Sequence, residues 1–385
     1  MADAAATRGA EDEASELLRV AQEALTAAAP DQPLQYMLRS RWPIVDTMDR
    51  MFLKSTVEVR IDGFEELARV KGRPSSYRMR LFPQREMASD MVRYTQTPFC
   101  GMRPFVKLVD NVARDENCTL GGACSFTFVE GGAHIGDCTL WAASALEVSG
   151  VSSFAVGYEA LPDASDLFHQ SVIVNRMDGR VVVVPKALTS RAEGTVSMVY
   201  YPARNGEATL ARVHSQCGEG CVQWPGVPRV TLDLSWPALR PGVLDVLKLS
   251  VNGEELNTMR GARSLLAKRQ VCLVMMHVTK VQRGWQDPQD GAPPRFQYSS
   301  ELWGILQDGG MDVALHLDED VTGQVHDDPR PRPATHRLKS AEELDAIFDG
   351  PAFPHDYVVA RQRAQPASPC EGSAALRNYG KVFMA

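Results

Sequence analysis

Five short runs in the middle and later part of the chain are apolar at nearly every position: Ser125–Glu130, Ser153–Glu159, Arg180–Leu188, Val243–Val251 and Val271–Val278. Strands buried on both faces of a sheet read this way, whereas half-exposed strands alternate. Between the runs, Asp137–Val148, Ala164–Met177 and Asn257–Gln270 carry apolar residues at helical spacing with polar faces. The alternation predicts an α/β fold with a mostly parallel, doubly wound sheet. Glu301–Gly310 followed by Met311–Leu317, and Ser340–Gly350 followed by Asp356–Gln362, repeat the order helix then strand. Gly309 and Gly310 read as a helix stop, and the Ser340 to Glu343 spacing reads as a capping box.

Two other stretches depart from this rhythm. Gly194–Val213, with Asn205–Gly206 as its turn, and Val230–Trp236 read as an antiparallel excursion. Upstream, residues 1–33 predict a helix on the spacing of Leu17, Leu18, Ala21 and Leu25, ended by Pro30 and Pro33. Residues 34–117 read as an accessory region containing a strand at Ser55–Gly63 and a helix at Phe105–Asn117. Residues 118–365 form the main domain and 366–385 a tail.

Composition narrows the function classes. A chain of 385 residues with 44% hydrophobic and 23% charged positions is expected to be globular. A net charge of -7 gives no reason to expect nucleic acid as a partner, because phosphate backbones call for a basic surface. No run approaches the roughly 18 apolar residues of a membrane span. The first thirty residues are rich in acids, which argues against a leader and for a cytoplasmic location. The eight cysteines are scattered, a pattern expected of buried free thiols rather than of a disulfide framework.

Candidate chemistry gathers at Phe128–Ser144, FVEGGAHIGDCTLWAAS, where a strand ends in an acid, a glycine turn follows and a helix begins. Glycines at the carboxyl end of a first strand let the backbone approach a ligand, and the helix aims its first N–H groups at it. Glu130 bears on which ligand. A pyrophosphate would be repelled by it, which weighs against a nicotinamide-dependent oxidoreductase; a sulfonium or ammonium would be attracted, by roughly 4 kcal/mol for one pair at about 4 Å and an effective dielectric of 20. Glu159 closes the next strand, where a carboxylate can accept hydrogen bonds from ribose hydroxyls.

The turn, then Gly157–Asn175, then Arg180–Leu188, then Asp245–Arg269 together resemble the FkbM family of S-adenosylmethionine-dependent methyltransferases, over about residues 118–363. The resemblance implies a class I, Rossmann-like methyltransferase fold with S-adenosyl-L-methionine as cofactor. It implies methyl transfer to a hydroxyl oxygen, here of a small molecule or glycan. It places Glu130, Gly132, Ala133 and Gly136 in the cofactor turn and Glu159 at the ribose. Where the family shows acids, this chain has Ser250, Asn252 and Met275. The base expected to take the acceptor's proton is then His277, with Lys248 and Ser250 beside it and Asn252 and Glu254 lining the acceptor site. The same replacements leave open a protein that keeps the fold as a binding or regulatory module without catalysis. His214, Cys217 and Cys221 lack an evident fourth ligand, and no metal is expected.

Overall fold

The computed structural model describes residues 56–64, 66–67, 76–82, 86–96, 100, 102–119, 124–201, 208–210, 220–277, 295–316, 335–349, 357–365 and 368–383. A hairpin, β1 (Val57–Ile61) and β2 (Tyr77–Leu81), precedes helices α1 (Met87–Thr95), α2 (Arg103–Arg114) and α3 (Glu116–Thr119). The central alternation follows: β3 (Ser125–Gly131), α4 (Asp137–Val148), β4 (Ser152–Tyr158), α5 (Pro162–Val174) and β5 (Val181–Val184). An inserted sheet comprises β6 (Ala187–Leu188), β7 (Thr195–Tyr200), β8 (Thr209–Leu210) and β9 (Val222–Val230). After α6 (Leu232–Leu239) the alternation resumes with β10 (Leu244–Leu249), α7 (Glu255–Arg260), α8 (Arg263–Ala267) and β11 (Val271–His277). The chain closes with α9 (Arg295–Asp308), β12 (Met311–His316), β13 (Thr335–Arg337), α10 (Ala341–Asp349), β14 (Tyr357–Gln362) and α11 (Ala374–Phe383).

Eight strands form the main sheet in the order β5-β4-β3-β10-β11-β14-β12-β13. From β5 to β11 every pairing is parallel, and β14 runs antiparallel to both β11 and β12. Counting along the chain, this is the Rossmann order with one reversed strand slipped in near the far edge. That is the class I methyltransferase fold. The strands are apolar throughout because both faces are covered: Phe126, Phe128, Val246, Leu273 and Met275 point into one core cluster, while Val129, Leu247, Leu249, Val274 and Met276 are buried on the other side.

The accessory helix α2 shares the first of these cores. Pro104 at its start fits the first helical turn, and Phe105 meets Phe128 of β3 with ring centroids 5.5 Å apart. Residues 374–383, grouped with the tail by sequence, form α11, which packs on α2 and against β10 and β11. The expected N-terminal helix and the Asn205–Gly206 turn lie outside the described residues. Among those residues, no helix is long and apolar enough to cross a membrane.

Four expectations need correction. The run Arg180–Leu188 is two strands, because Pro185 breaks it. Asn257–Gln270 is two helices parted at Gly261, whose missing side chain leaves room for the carbonyl of Thr189. Val230–Trp236 is not a strand, since Leu232, Trp236 and Leu239 recur at helical spacing and are buried in α6. The antiparallel partner is instead β9, whose Pro225 and Pro228 hide it from a strand pattern.

The fourth correction concerns the cysteines. Cys100–Cys138, Cys118–Cys124 and Cys272–Cys370 are disulfides, Cys221 is also bonded, and no free thiol is found among the described residues. Partners separated by 38, 6 and 98 positions left no local signal. Disulfides persist in oxidising compartments, so the thiol argument for a reducing location no longer holds.

Candidate functional site

The chain leaves β3 for β4 on one side, while β10 pairs on the other, so the strand order reverses at the carboxyl end of β3. Ligand crevices in open α/β sheets lie at this point. A cavity opens there. Its floor comes from the main sheet: Gly132 and His134 after β3, Tyr158, Glu159 and Ala160 at the end of β4, Lys186 after β5, and Ser250, Val251, Asn252 and Glu254 after β10. Ala187 and Leu188 of β6, Met198 of β7 and Ala208 before β8 supply the remaining wall.

The turn after β3 depends on glycine at two positions. Gly132 has φ +76°, and a side chain there would run into the carbonyl of Ser250. Gly136 has φ +80° and lies against the ring of Phe168. An L-residue at either position meets both a backbone penalty and a collision. The amides of Gly132 and Ala133 both donate to the carbonyl of Tyr158, which ties the turn to β4.

Glu159 is fastened by the same turn. Its Oε2 accepts from the His134 amide at 2.6 Å and its Oε1 from the Leu161 amide at 2.7 Å. Burial raises its pKa above the usual carboxylate value, and His134 and the backbone donors oppose the rise. A carboxylate has about four acceptor sites, so these two amides leave capacity for hydroxyl donors from the cavity.

Glu130 is arranged differently. It is buried below the lining, with Oε1 2.5 Å from Lys248 Nζ and Oε2 accepting from Thr139 Oγ1. Its charge is therefore met by Lys248, and the direct attraction for a cationic ligand expected from the sequence does not apply. Asp137, the first residue of α4, has its pKa raised to about 7 by burial and then by Glu130, with His134 and Lys248 pulling it down.

Of the other residues singled out by sequence, Gly132, Glu159, Ser250, Asn252 and Glu254 share the cavity lining. Ala133 and Gly136 shape the turn from behind, and Lys248 is paired with Glu130. His277 lies outside the lining, with its ring centroid 5.5 Å from that of Tyr357 on β14. Asn252 Nδ2 donates to the carbonyl of Ala208 at 3.1 Å, joining the β10 loop to the inserted sheet. Sequence reasoning passed over His134, Tyr158, Lys186 and Met198. The first was within reach, because it sits inside the glycine turn.

His134 also links the accessory region to the cavity. Its Nε2 is 3.9 Å from Glu86 Oε1, and its ring lies 6.1 Å from that of Phe82. Glu86 itself caps α1 through the amides of Ala88 and Ser89.

No known family profile matches the chain, and no curated protein matches it. Among solved structures, the chain is similar to the plantazolicin methyltransferase BpumL in complex with SAH, at 10% identity over 72% of this chain and 89% of that one, with a TM-score of 0.29. It is similar to the StiE O-MT at 12% identity over 71% and 80%, with a TM-score of 0.30. It is also similar to methyltransferase FkbM from Methylobacillus flagellatus at 13% identity over 72% and 60%, with a TM-score of 0.32. The fold assignment rests on the strand order.

Proposed function

We propose that the cavity holds S-adenosylmethionine and that the protein is an O-methyltransferase of FkbM-like type, acting on a hydroxyl of a small molecule. One observation carries this reading: the glycine turn and the Glu159 carboxylate, at the ends of successive strands, face one cavity at the switch point of the sheet. The residues present suit the cofactor. The absence of a side chain at position 132 lets the turn pack against the Ser250 carbonyl at the crevice edge, and the lining carboxylates Glu159 and Glu254 suit a hydroxylated, positively charged nucleoside better than a pyrophosphate.

In this reading Glu159 accepts hydrogen bonds from the ribose hydroxyls, and its own amide bonds keep it in place before binding. The cofactor supplies an electrophilic methyl group on sulfur. The acceptor hydroxyl would be held in line with that methyl group and would give up its proton to a base in the lining or to water. The protein's share is alignment and exclusion of water, for which the wall from β6, β7 and Ala208 is suited. His134 and Glu254, both in the lining, are better placed than His277 to receive the proton.

Calorimetric titration with S-adenosylmethionine and S-adenosylhomocysteine tests the reading. Binding is expected in the wild type and lost in Gly132→Val and Glu159→Ala. Absence of heat with either compound, on protein shown to be folded, overturns it.

A further inference from the structure

One wall of the cavity comes from the inserted sheet, and that sheet presents more than the cavity uses. Met198 of β7 lines the cavity and is 5% exposed. Its direct antiparallel partner on β9 is Trp224, and Tyr200 pairs with Val222. Directly paired residues show their side chains on the same face, and positions two apart along a strand do so as well. Trp224 and Tyr200 therefore share the face on which Met198 meets the cavity. Trp224 is 36% exposed and lies outside the cavity lining, so an indole stands on this face beside Met198 and is open to solvent.

We propose that this face is the acceptor shelf and that the acceptor is a planar aromatic compound carrying a phenolic hydroxyl, stacked on Trp224 with the hydroxyl directed into the cavity. The inference rests on the reading of the cavity as a methyl-donor site and narrows its substrate class.

Three observations favour a phenol over a sugar. Among the described residues of β7 and β9, this face offers Met198, Val222 and Trp224, with the Tyr200 hydroxyl as its polar group; a glycan would need several hydrogen-bonding side chains around the ring, whereas an aromatic ring needs a flat apolar surface. Tyr200 stands near Asp163 at the start of α5, and burial followed by that carboxylate raises its pKa, so its hydroxyl brings no charge to the apolar face. The base requirement is also mild. Ser250 and Asn252 occupy the edge after β10, Glu159 is engaged by backbone amides and Glu254 by Asn257. A phenol, with a pKa of about 10, gives up its proton far more readily than an alcohol and suits a site whose proton acceptors, His134 and Glu254, already have other partners.

The test is calorimetric titration of the full chain with catechol and, separately, with methyl glucoside, each in the presence of S-adenosylhomocysteine. Catechol is expected to bind and methyl glucoside not to. Trp224→Ala is expected to weaken catechol binding about tenfold while leaving S-adenosylhomocysteine affinity unchanged, and Trp224→Phe to restore most of the loss. The proposal is overturned if catechol fails to bind, if methyl glucoside binds and depends on Trp224, or if Trp224→Ala leaves catechol affinity unchanged. Catechol binding that depends on Trp224 without any S-adenosylhomocysteine binding would support the shelf and remove the donor reading. Donor binding without catechol binding would do the reverse.

Discussion

Lys248 Nζ lies 2.5 Å from Glu130 Oε1, between directly paired positions of β10 and β3, and both side chains are buried. Removing one partner of such a pair leaves a charge in a poorly solvated place. Lys248→Met is therefore expected to cost about 3–5 kcal/mol, and Lys248→Met with Glu130→Gln considerably less. Urea denaturation of the two variants checks this. Equal losses would mean that the pair is not coupled.

This pair also shows where sequence reasoning stops. Glu130 and its glycine turn are local signals, seven residues with a strand before them and a helix after, and the chain displays them openly. That Lys248 neutralises the acid is a fact about residues 118 positions apart, and only the strand order brings them together. The same holds for Cys272 and Cys370, 98 positions apart. The bounds of α4 were legible to the residue, although the polar face expected of it is buried with the rest of the helix, while β9 was missed because its two prolines imitate a loop.

Gly132 and Gly304 should respond oppositely to alanine. At Gly132 the positive φ and the Ser250 carbonyl both oppose a side chain, and a loss of at least about 2 kcal/mol is expected, together with loss of donor binding. Gly304 lies within α9 with open space around it, so alanine there is expected to stabilise by roughly 0.5–1 kcal/mol. Thermal melts of the two variants, run side by side, decide the matter.

Asp137 makes stability fall as pH rises. Its carboxyl titrates at 3.8 when unperturbed and at about 7 in the fold, so the folded chain holds the proton more tightly across that interval. The stabilisation is full below about pH 4 and is lost progressively as pH climbs to about 7, with an upper bound of about 4 kcal/mol. Asp137→Asn should flatten this part of the stability profile and leave the variant more stable than the wild type at neutral pH. A profile unchanged by the substitution would show that another group sets the slope.

The disulfides should differ in worth. Cross-linking long loops removes more freedom from the unfolded chain, so losing Cys272–Cys370, which spans 98 positions, is expected to cost about 4–5 kcal/mol. Losing Cys118–Cys124, which spans 6, should cost about 2 kcal/mol. Paired serine variants, compared by chemical denaturation without reductant, test the ranking.

The bond from Cys272 to Cys370 also imposes an order on biosynthesis. Residue 272 sits in a central strand, yet its partner is made only after all the intervening residues, including the reversed strand that pairs beside it. Until residue 370 is made, Cys272 lacks its native partner. A production host equipped with thiol oxidases and an isomerase should yield more correctly folded material than one that keeps its interior reduced.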